Sequence, residues 1–113
     1  MRRNMDLIRA IALGRDTSEW TREEVGHHIY LMGQGGLAHV VDVTGYGASG
    51  LPQAALVCLT REGHDFADLA NDEAWAWAKE RVARAGGTAP FQVWVELLER
   101  WRELKMWPRI PPP

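Results

Sequence analysis

Four histidines and one cysteine are the side chains in this sequence best suited to bind a metal or to act as nucleophile and base. A metal held by one helix needs two ligands four residues apart, and no two of the histidines have that spacing. His27 and His28 are neighbours, so on a helix their side chains would point about 100° apart. We therefore predict no metal site and no cofactor. We expect one of these two histidines to be hydrogen-bonded at the edge of the core and the other to be solvated.

The other candidates for catalysis do not form a set of nucleophile, base and orienting group. Cys58 lies within the apolar run Leu56–Leu59, which predicts an inert thiol. His64 and Asp65 are adjacent, so their side chains diverge on a helix and serve more simply to anchor its start. No glycine loop is followed by the Lys-Ser or Lys-Thr pair of a phosphate site. The sequence thus predicts no catalytic residues, no enzymatic activity and no small-molecule substrate.

Length and charge restrict the kind of protein further. The 113 residues fit one domain, which we place at residues 1–107, followed by a flexible proline-rich tail at 108–113. The net charge of −2, from 13 basic and 15 acidic residues, gives no general attraction to nucleic acid. A single cysteine permits no internal disulfide, which fits a reducing, cytoplasmic setting. No apolar run reaches the roughly 20 residues that cross a membrane.

Two helices are predicted in the first third of the chain. Apolar residues at three- and four-residue spacing predict a helix from about Met5 to Gly14. Thr21 and Glu24 have the spacing of a capping box and predict the start of the second helix, which the glycines of segment 33–36 would end. The buried stripe of this second helix is expected to contain Val25, Ile29 and either Leu31 or Met32.

A hairpin and three more helices follow. Segments 37–43 and 54–59 predict two strands joined by the loop 44–52. Thr60 is expected to cap a third helix with Phe66 and Leu69 on its apolar side, and Asn71 a separate helix or a kinked continuation. A last helix is expected over 90–106. This order predicts an α+β fold that is winged-helix-like, with a two-stranded β-hairpin wing and two additional C-terminal helices.

Several motifs resemble known families. The segment His27–Leu37 looks like the end of the recognition helix in arsenic-repressor-type regulators, and Leu59–His64 resembles the exit from the wing in several winged-helix families. Together with Asn4–Arg9, Gly63–Phe66 and Ala85–Gly87, they make the whole chain similar to the domain-of-unknown-function 2513 family. That resemblance implies a small bacterial protein, often encoded by a prophage.

The second helix and the wing would carry the contacts to a partner. Arg22, His27 and Tyr30 on that helix and Tyr46 in the loop are the candidate contact residues. The partner is either double-stranded DNA or a protein. We interpret the chain as a non-enzymatic, macromolecule-binding module and a phage-associated regulator of winged-helix type.

Other features favour a protein partner over DNA. Glu23 and Glu24 would be repelled by phosphates, whereas cations supply most of the affinity for DNA. Family members usually carry a longer stretch before the second helix than the Arg15–Trp20 segment found here, so the middle helix of a three-helix DNA-binding core would be missing or reduced. The alternative is therefore an interaction module, or an inhibitor of a host defence protein, that keeps the scaffold without binding DNA.

Tryptophans concentrate in the C-terminal part of the chain, where five of the six lie after residue 70. Trp94, Leu98 and Trp101 have spacings of four and three, which places them on one face of the last helix. We expect this face to pack against Trp75 or Trp77, either within the chain or across a homodimer formed by the C-terminal helices.

Overall fold

The computed structural model describes residues 3–43 and 50–106 of the chain. Its elements, in chain order, are α1 (Met5–Leu13), α2 (Arg22–Gln34), β1 (Ala38–Asp42), β2 (Ala54–Leu59), α3 (Arg61–Leu69), α4 (Asp72–Arg84) and α5 (Phe91–Met106). The chain divides into two compact units, with the boundary between Ala67 and Asp68.

The first two helices start and end as their sequences predict. The side chain of Asn4 accepts a hydrogen bond from the backbone N–H of Leu7 and caps α1, while Gly14 ends it in the left-handed conformation at φ 67°. The hydroxyl of Thr21 accepts a hydrogen bond from the backbone N–H of Glu24 across 3.0 Å and caps α2. The predicted boundaries of both helices are confirmed.

The two strands form an antiparallel hairpin with one irregularity. His39 pairs with Cys58, whereas the next residue, Val40, pairs with Leu56, so Val57 is an extra residue on β2 and forms a β-bulge. Helix α2 packs against both strands, and Gly33 of α2 faces Val40 so closely that a Cβ there would lie 2.6 Å from its Cγ2 atom.

Hydrogen bonds of Thr60 connect the segment before β1 to the start of α3. Thr60 donates its backbone N–H to the carbonyl oxygen of Leu37 across 2.9 Å and its hydroxyl to the carbonyl oxygen of Gly36 across 2.6 Å. The same hydroxyl accepts the backbone N–H of Gly63 across 3.1 Å, which confirms the predicted cap of α3. Phe66 lies buried on this helix, as predicted.

The second unit contains α4 and α5, which pack against each other. Asn71 caps α4 by accepting the backbone N–H of Ala74 across 3.0 Å, so α4 is a separate helix. Its buried residues are Ala74, Trp75, Ala78 and Val82, and those of α5 are Trp94 and Leu98. The stack of Trp75 on Trp94 lies within this unit, with ring centroids 4.7 Å apart and an interplanar angle of 23°.

The fold is α+β, with a two-stranded hairpin followed by α3 and two further helices, as the sequence predicts. The order and pairing of its elements are compatible with a winged-helix-like arrangement. None of the helices in the described ranges is long and apolar enough to cross a membrane.

Two predictions about burial are wrong. Both His27 and His28 are buried. In the expected stripe of α2, Met32 is buried as predicted, but Val25 and Ile29 are only half-buried. Helix α2 packs against α1 and both strands, and each imidazole can enter the interior because a ring nitrogen is hydrogen-bonded there. Cys58 is exposed, although its neighbours are apolar.

Candidate functional site

The candidate contacts of α2 are spread over its first nine residues. Arg22 is exposed at the first helical position, and Tyr30 is half-buried two turns later. His27 is buried, and its ring stacks on that of Tyr30 with centroids 6.2 Å apart and an interplanar angle of 17°. Its Nδ1 atom is 2.8 Å from the carbonyl oxygen of Pro52, in the loop just before β2. The structure thus brings His27 and Tyr30 together. The fourth candidate, Tyr46, lies outside the described residues.

A cleft of about 580 Å³ lies beside Arg22. It is bounded by Trp20 from the α1–α2 connection, Arg22 and Ile29 from α2, and Gln53 from the entry to β2. The approach of Gln53 to α2 depends on Gly26, where a Cβ atom would meet the Gln53 Oε1 atom at 2.8 Å. Trp20 and Gln53 could not be recognised as cleft residues from the sequence, because only the fold brings these distant segments together.

The connection between α1 and α2 forms one rim of this cleft and contains Asp16, a carboxylate with a lowered pKa. The backbone N–H and the hydroxyl of Ser18 each donate a hydrogen bond of 2.9 Å to Asp16. These two bonds favour the charged carboxylate and lower the pKa of Asp16 below its ordinary value. Asp16 is fully exposed, so its role is to order the turn after α1.

The hairpin presents an apolar surface to solvent. We call Val41, Ala55, Leu56, Val57 and Cys58 the exposed hairpin surface, because each is exposed although none is charged. Val41 and Val57 are 55% and 63% exposed. In the described part of the hairpin, residues 38–43 and 50–59, Asp42 is the one charged residue and no lysine or arginine occurs. Exposed apolar side chains concentrated in one element are found at contact surfaces for other proteins.

The predicted interface residues of α5 have different environments. Trp94 and Leu98 are buried core residues of the second unit, and the predicted contact of Trp94 with Trp75 within the chain is confirmed. Trp101 is half-buried on the same helix, with the Lys105 ammonium 5.6 Å from its ring centroid. Trp77 instead stacks with Arg81, whose guanidinium carbon lies 4.2 Å from the ring centroid.

Among the residues that the structure describes, no three histidine, cysteine, aspartate or glutamate side chains come together in a group that could hold a metal ion. In the described residues, α2 and the hairpin present one exposed guanidinium, a cleft with an aromatic and an amide wall, and exposed apolar side chains.

The fold and these surfaces define an α+β protein whose hairpin follows a helix in the order of winged-helix proteins. The chain belongs to the family described as "Hypothetical protein (DUF2513)", whose model matches residues 2–88. The family resemblance drawn from its motifs is thereby confirmed. The match includes the elements from α1 to α4, and α5 lies beyond it. Neither the curated proteins nor the solved structures contain a match to this chain.

Proposed function

We propose that this chain is a non-enzymatic binding module whose partner is a protein, contacted through the exposed hairpin surface. The observation that carries this proposal is the exposure of Val41 and Val57 on a hairpin that has no cation in its described residues. Apolar side chains of this size gain roughly 25 cal/mol for each Å² removed from water, so a protein partner that covers them contributes favourably to binding.

The same residues give little support to a DNA-binding wing. Phosphate contacts from lysine and arginine supply most of the affinity of proteins for DNA. Arg22 is the one cation of α2, and Glu23 and Glu24 follow it directly. The winged-helix-like order and the exposure of Arg22 still favour DNA as the second candidate, so the experiment must separate the two kinds of partner.

The proposal includes the origin of the partner and the cellular compartment in which the chain acts. The resemblance to a family often encoded by prophages suggests a partner from the bacterial host, such as a defence protein that the module would inhibit. The single cysteine fits action in the reducing cytoplasm.

The test is a capture experiment with the intact chain and two variants. Val41→Glu combined with Val57→Glu places two charges on the exposed hairpin surface, and Thr88→Glu combined with Gln92→Glu adds the same charge at exposed positions elsewhere. A protein captured by the wild type from nuclease-treated host lysate is purified, and its affinity for all three chains is measured by calorimetry. We expect the hairpin variant to lose binding and the control to keep it, with unchanged circular dichroism for both.

DNA binding is tested separately by gel shift with random DNA at low salt, where a nonspecific Kd of about 10⁻⁴ to 10⁻⁶ M is expected of a DNA-binding protein. A shift that Arg22→Ala abolishes and the hairpin variant preserves would overturn the proposal in favour of DNA. Equal affinity of the hairpin variant and the wild type for the purified protein would also overturn it.

A further inference from the structure

The ring of His28 makes two hydrogen bonds that together permit one protonation state. Its Nε2 atom accepts the backbone N–H of Asn4, the residue that caps α1. Its Nδ1 atom lies 2.8 Å from the carbonyl oxygen of Glu24, an acceptor, so Nδ1 carries the proton. A second proton, on Nε2, would occupy the lone pair that accepts the Asn4 N–H. Protonation of His28 and its bond to α1 therefore exclude each other.

The surroundings of the ring make this conflict costly. His28 is 1% exposed, and burial disfavours the charged form of a histidine. The Asn4 N–H is partly buried, so the loss of its acceptor shifts an equilibrium by roughly five- to hundredfold. Both effects favour the neutral ring as long as α1 stays in place.

The other three histidines, which also lie in the described ranges, do not have this conflict. His27 is buried beside His28, but its Nδ1 atom faces the carbonyl oxygen of Pro52, which can only accept. A second proton on His27 leaves that bond intact. His39 and His64 are exposed. His28 is thus the one histidine held by a hydrogen bond that protonation breaks.

Charges of both signs surround the ring. The side chains that carry or gain charge near neutral pH, on α2 and on the elements packed against it, are Asp6 and Arg9 of α1, Arg22, Glu23, Glu24 and His27 of α2, and His39 and Asp42 of β1. Asp6 and Glu24 favour a protonated ring, whereas Arg9 and a protonated His27 oppose it. Asp6 and Glu24 are half-buried, and partly exposed charge pairs shift an equilibrium by about fivefold or less. Their attraction does not exceed the effect of the lost bond.

We propose that His28 is a proton-sensitive link between α1 and α2, which holds α1 in place at neutral pH and releases it in mild acid. Because the closed form keeps the ring neutral, the open form binds one more proton. The population of the open form therefore rises about tenfold for each pH unit below the ordinary histidine pKa of about 6.5. Opening uncovers the buried face of α1, which includes Leu7, Ile8 and Ile11.

Urea denaturation of the full chain at pH 7.5 and 5.5, a range in which carboxylates ordinarily stay charged, tests the link. The unfolding equilibrium constant of the wild type should be about tenfold larger at pH 5.5. His28→Gln has no group that titrates at this position, so it should lose this rise whatever its stability at pH 7.5. His64→Gln is the matched control at an exposed position, and Asp6→Asn removes a neighbouring charge. Both should keep the rise.

Two measurements on the wild type do not depend on how well a variant folds. Long-range ¹H–¹⁵N spectra of the folded chain should show a proton on Nδ1 of His28 and none on Nε2 at pH 5.5. Hydrogen-exchange protection of the α1 amides should fall about tenfold from pH 7.5 to 5.5, while that of the α4 amides should stay constant. A doubly protonated His28 ring in the folded chain, unchanged protection of α1, the same pH dependence in His28→Gln as in the wild type, or its loss in either control would each overturn the proposal.

Discussion

The backbone N–H of Asn4 donates a hydrogen bond to the Nε2 atom of His28 across 2.8 Å and so joins the start of α1 to the first half of α2. Because a backbone N–H can only donate, Nε2 is the acceptor and the ring proton resides on Nδ1. That Nδ1–H donates to the carbonyl oxygen of Glu24, also across 2.8 Å. A buried ring, 1% exposed, therefore uses both nitrogens to satisfy backbone groups of two helices.

Replacing His28 should destabilise the fold even when the new side chain is apolar and of similar size. His28→Leu leaves the Asn4 N–H without its acceptor at a partly buried position, and a polar group left in this way costs about 1 to 3 kcal/mol. Urea denaturation measures the loss in free energy of unfolding. His64→Leu, at an exposed position, is the control and should change it by no more than about 0.5 kcal/mol. Equal stability of the two variants would contradict the role given to the His28 hydrogen bonds.

Gly63→Ala should destabilise the protein, although alanine in a helix is usually favoured over glycine by about 1 kcal/mol. A Cβ at Gly63 would lie 2.0 Å from the carbonyl oxygen of Leu37, a backbone atom that Thr60 already holds by a hydrogen bond. Overpacking of this kind costs about 1 to 3 kcal/mol, which exceeds the gain in helix propensity.

The matched control is Gly35→Ala. The backbone of Gly35 has φ −83°, and the nearest atom to an added Cβ is the Leu31 carbonyl oxygen at 3.4 Å. We expect a small change in melting temperature for Gly35→Ala and a decrease of several degrees for Gly63→Ala. A Gly63→Ala variant that melts above the wild type would show that the hairpin and α3 can separate without cost.

The stack of Trp94 on Trp75 should contribute more to stability than the ring of Trp101. Trp94→Ala removes a ring that is 6% exposed and should lower the free energy of unfolding by about 3 to 5 kcal/mol. Trp101→Ala should cost less, since that ring is half-buried. Trp94→Phe is the conservative control. The Nε1 atom of Trp94 is buried and has no hydrogen-bond partner among the described residues. Loss of its N–H should therefore cost little stability. Chemical denaturation followed by circular dichroism should rank the variants Trp94→Ala, Trp101→Ala and Trp94→Phe in order of decreasing cost.

The carboxyl of Asp16 should titrate at a lower pH in the wild type than in Ser18→Ala. The Ser18 backbone N–H, followed by its hydroxyl, lowers the pKa of Asp16, and the alanine variant keeps only the backbone donor. Because the pKa is depressed in the folded state, the contribution of Asp16 to stability is present above the ordinary carboxyl pKa and is lost as the pH falls through the folded value. Carbon-detected NMR of the carboxyl group measures both titrations. Identical midpoints would show that the hydroxyl does not act on Asp16.

Local features of the fold could be predicted from the sequence because they depend on neighbouring residues. Asn71 and Thr60 start helices through hydrogen bonds to a backbone N–H three positions later, and Gly14 ends one through a backbone conformation that glycine adopts readily. The sequence narrows the partner of Trp94 to Trp75 or Trp77. It cannot decide between them, because the spacing defines the face of α5 but not the face of α4 that meets it.

Burial could not be predicted where it depends on several elements at once. The apolar periodicity of α2 predicts a buried stripe of Val25, Ile29 and Leu31 or Met32. Met32 is buried, but α1 and both strands pack around this helix so that His27 and His28 are enclosed while Val25 and Ile29 are only half-buried. The apolar run of β2 is typical of a covered strand, yet most of it faces solvent. Trp20 and Gln53 belong to one cleft only because the hairpin returns to the start of α2.

The position of Cys58 has a practical consequence. It is the one thiol of the chain, it is exposed, and it lies in the exposed hairpin surface opposite His39. Its rate of alkylation by a maleimide or an iodoacetamide therefore reports the solvent access of that strand in the native sequence, without an engineered label. A molecule that covers the hairpin would protect the thiol, whereas one that binds elsewhere would leave its reaction rate unchanged.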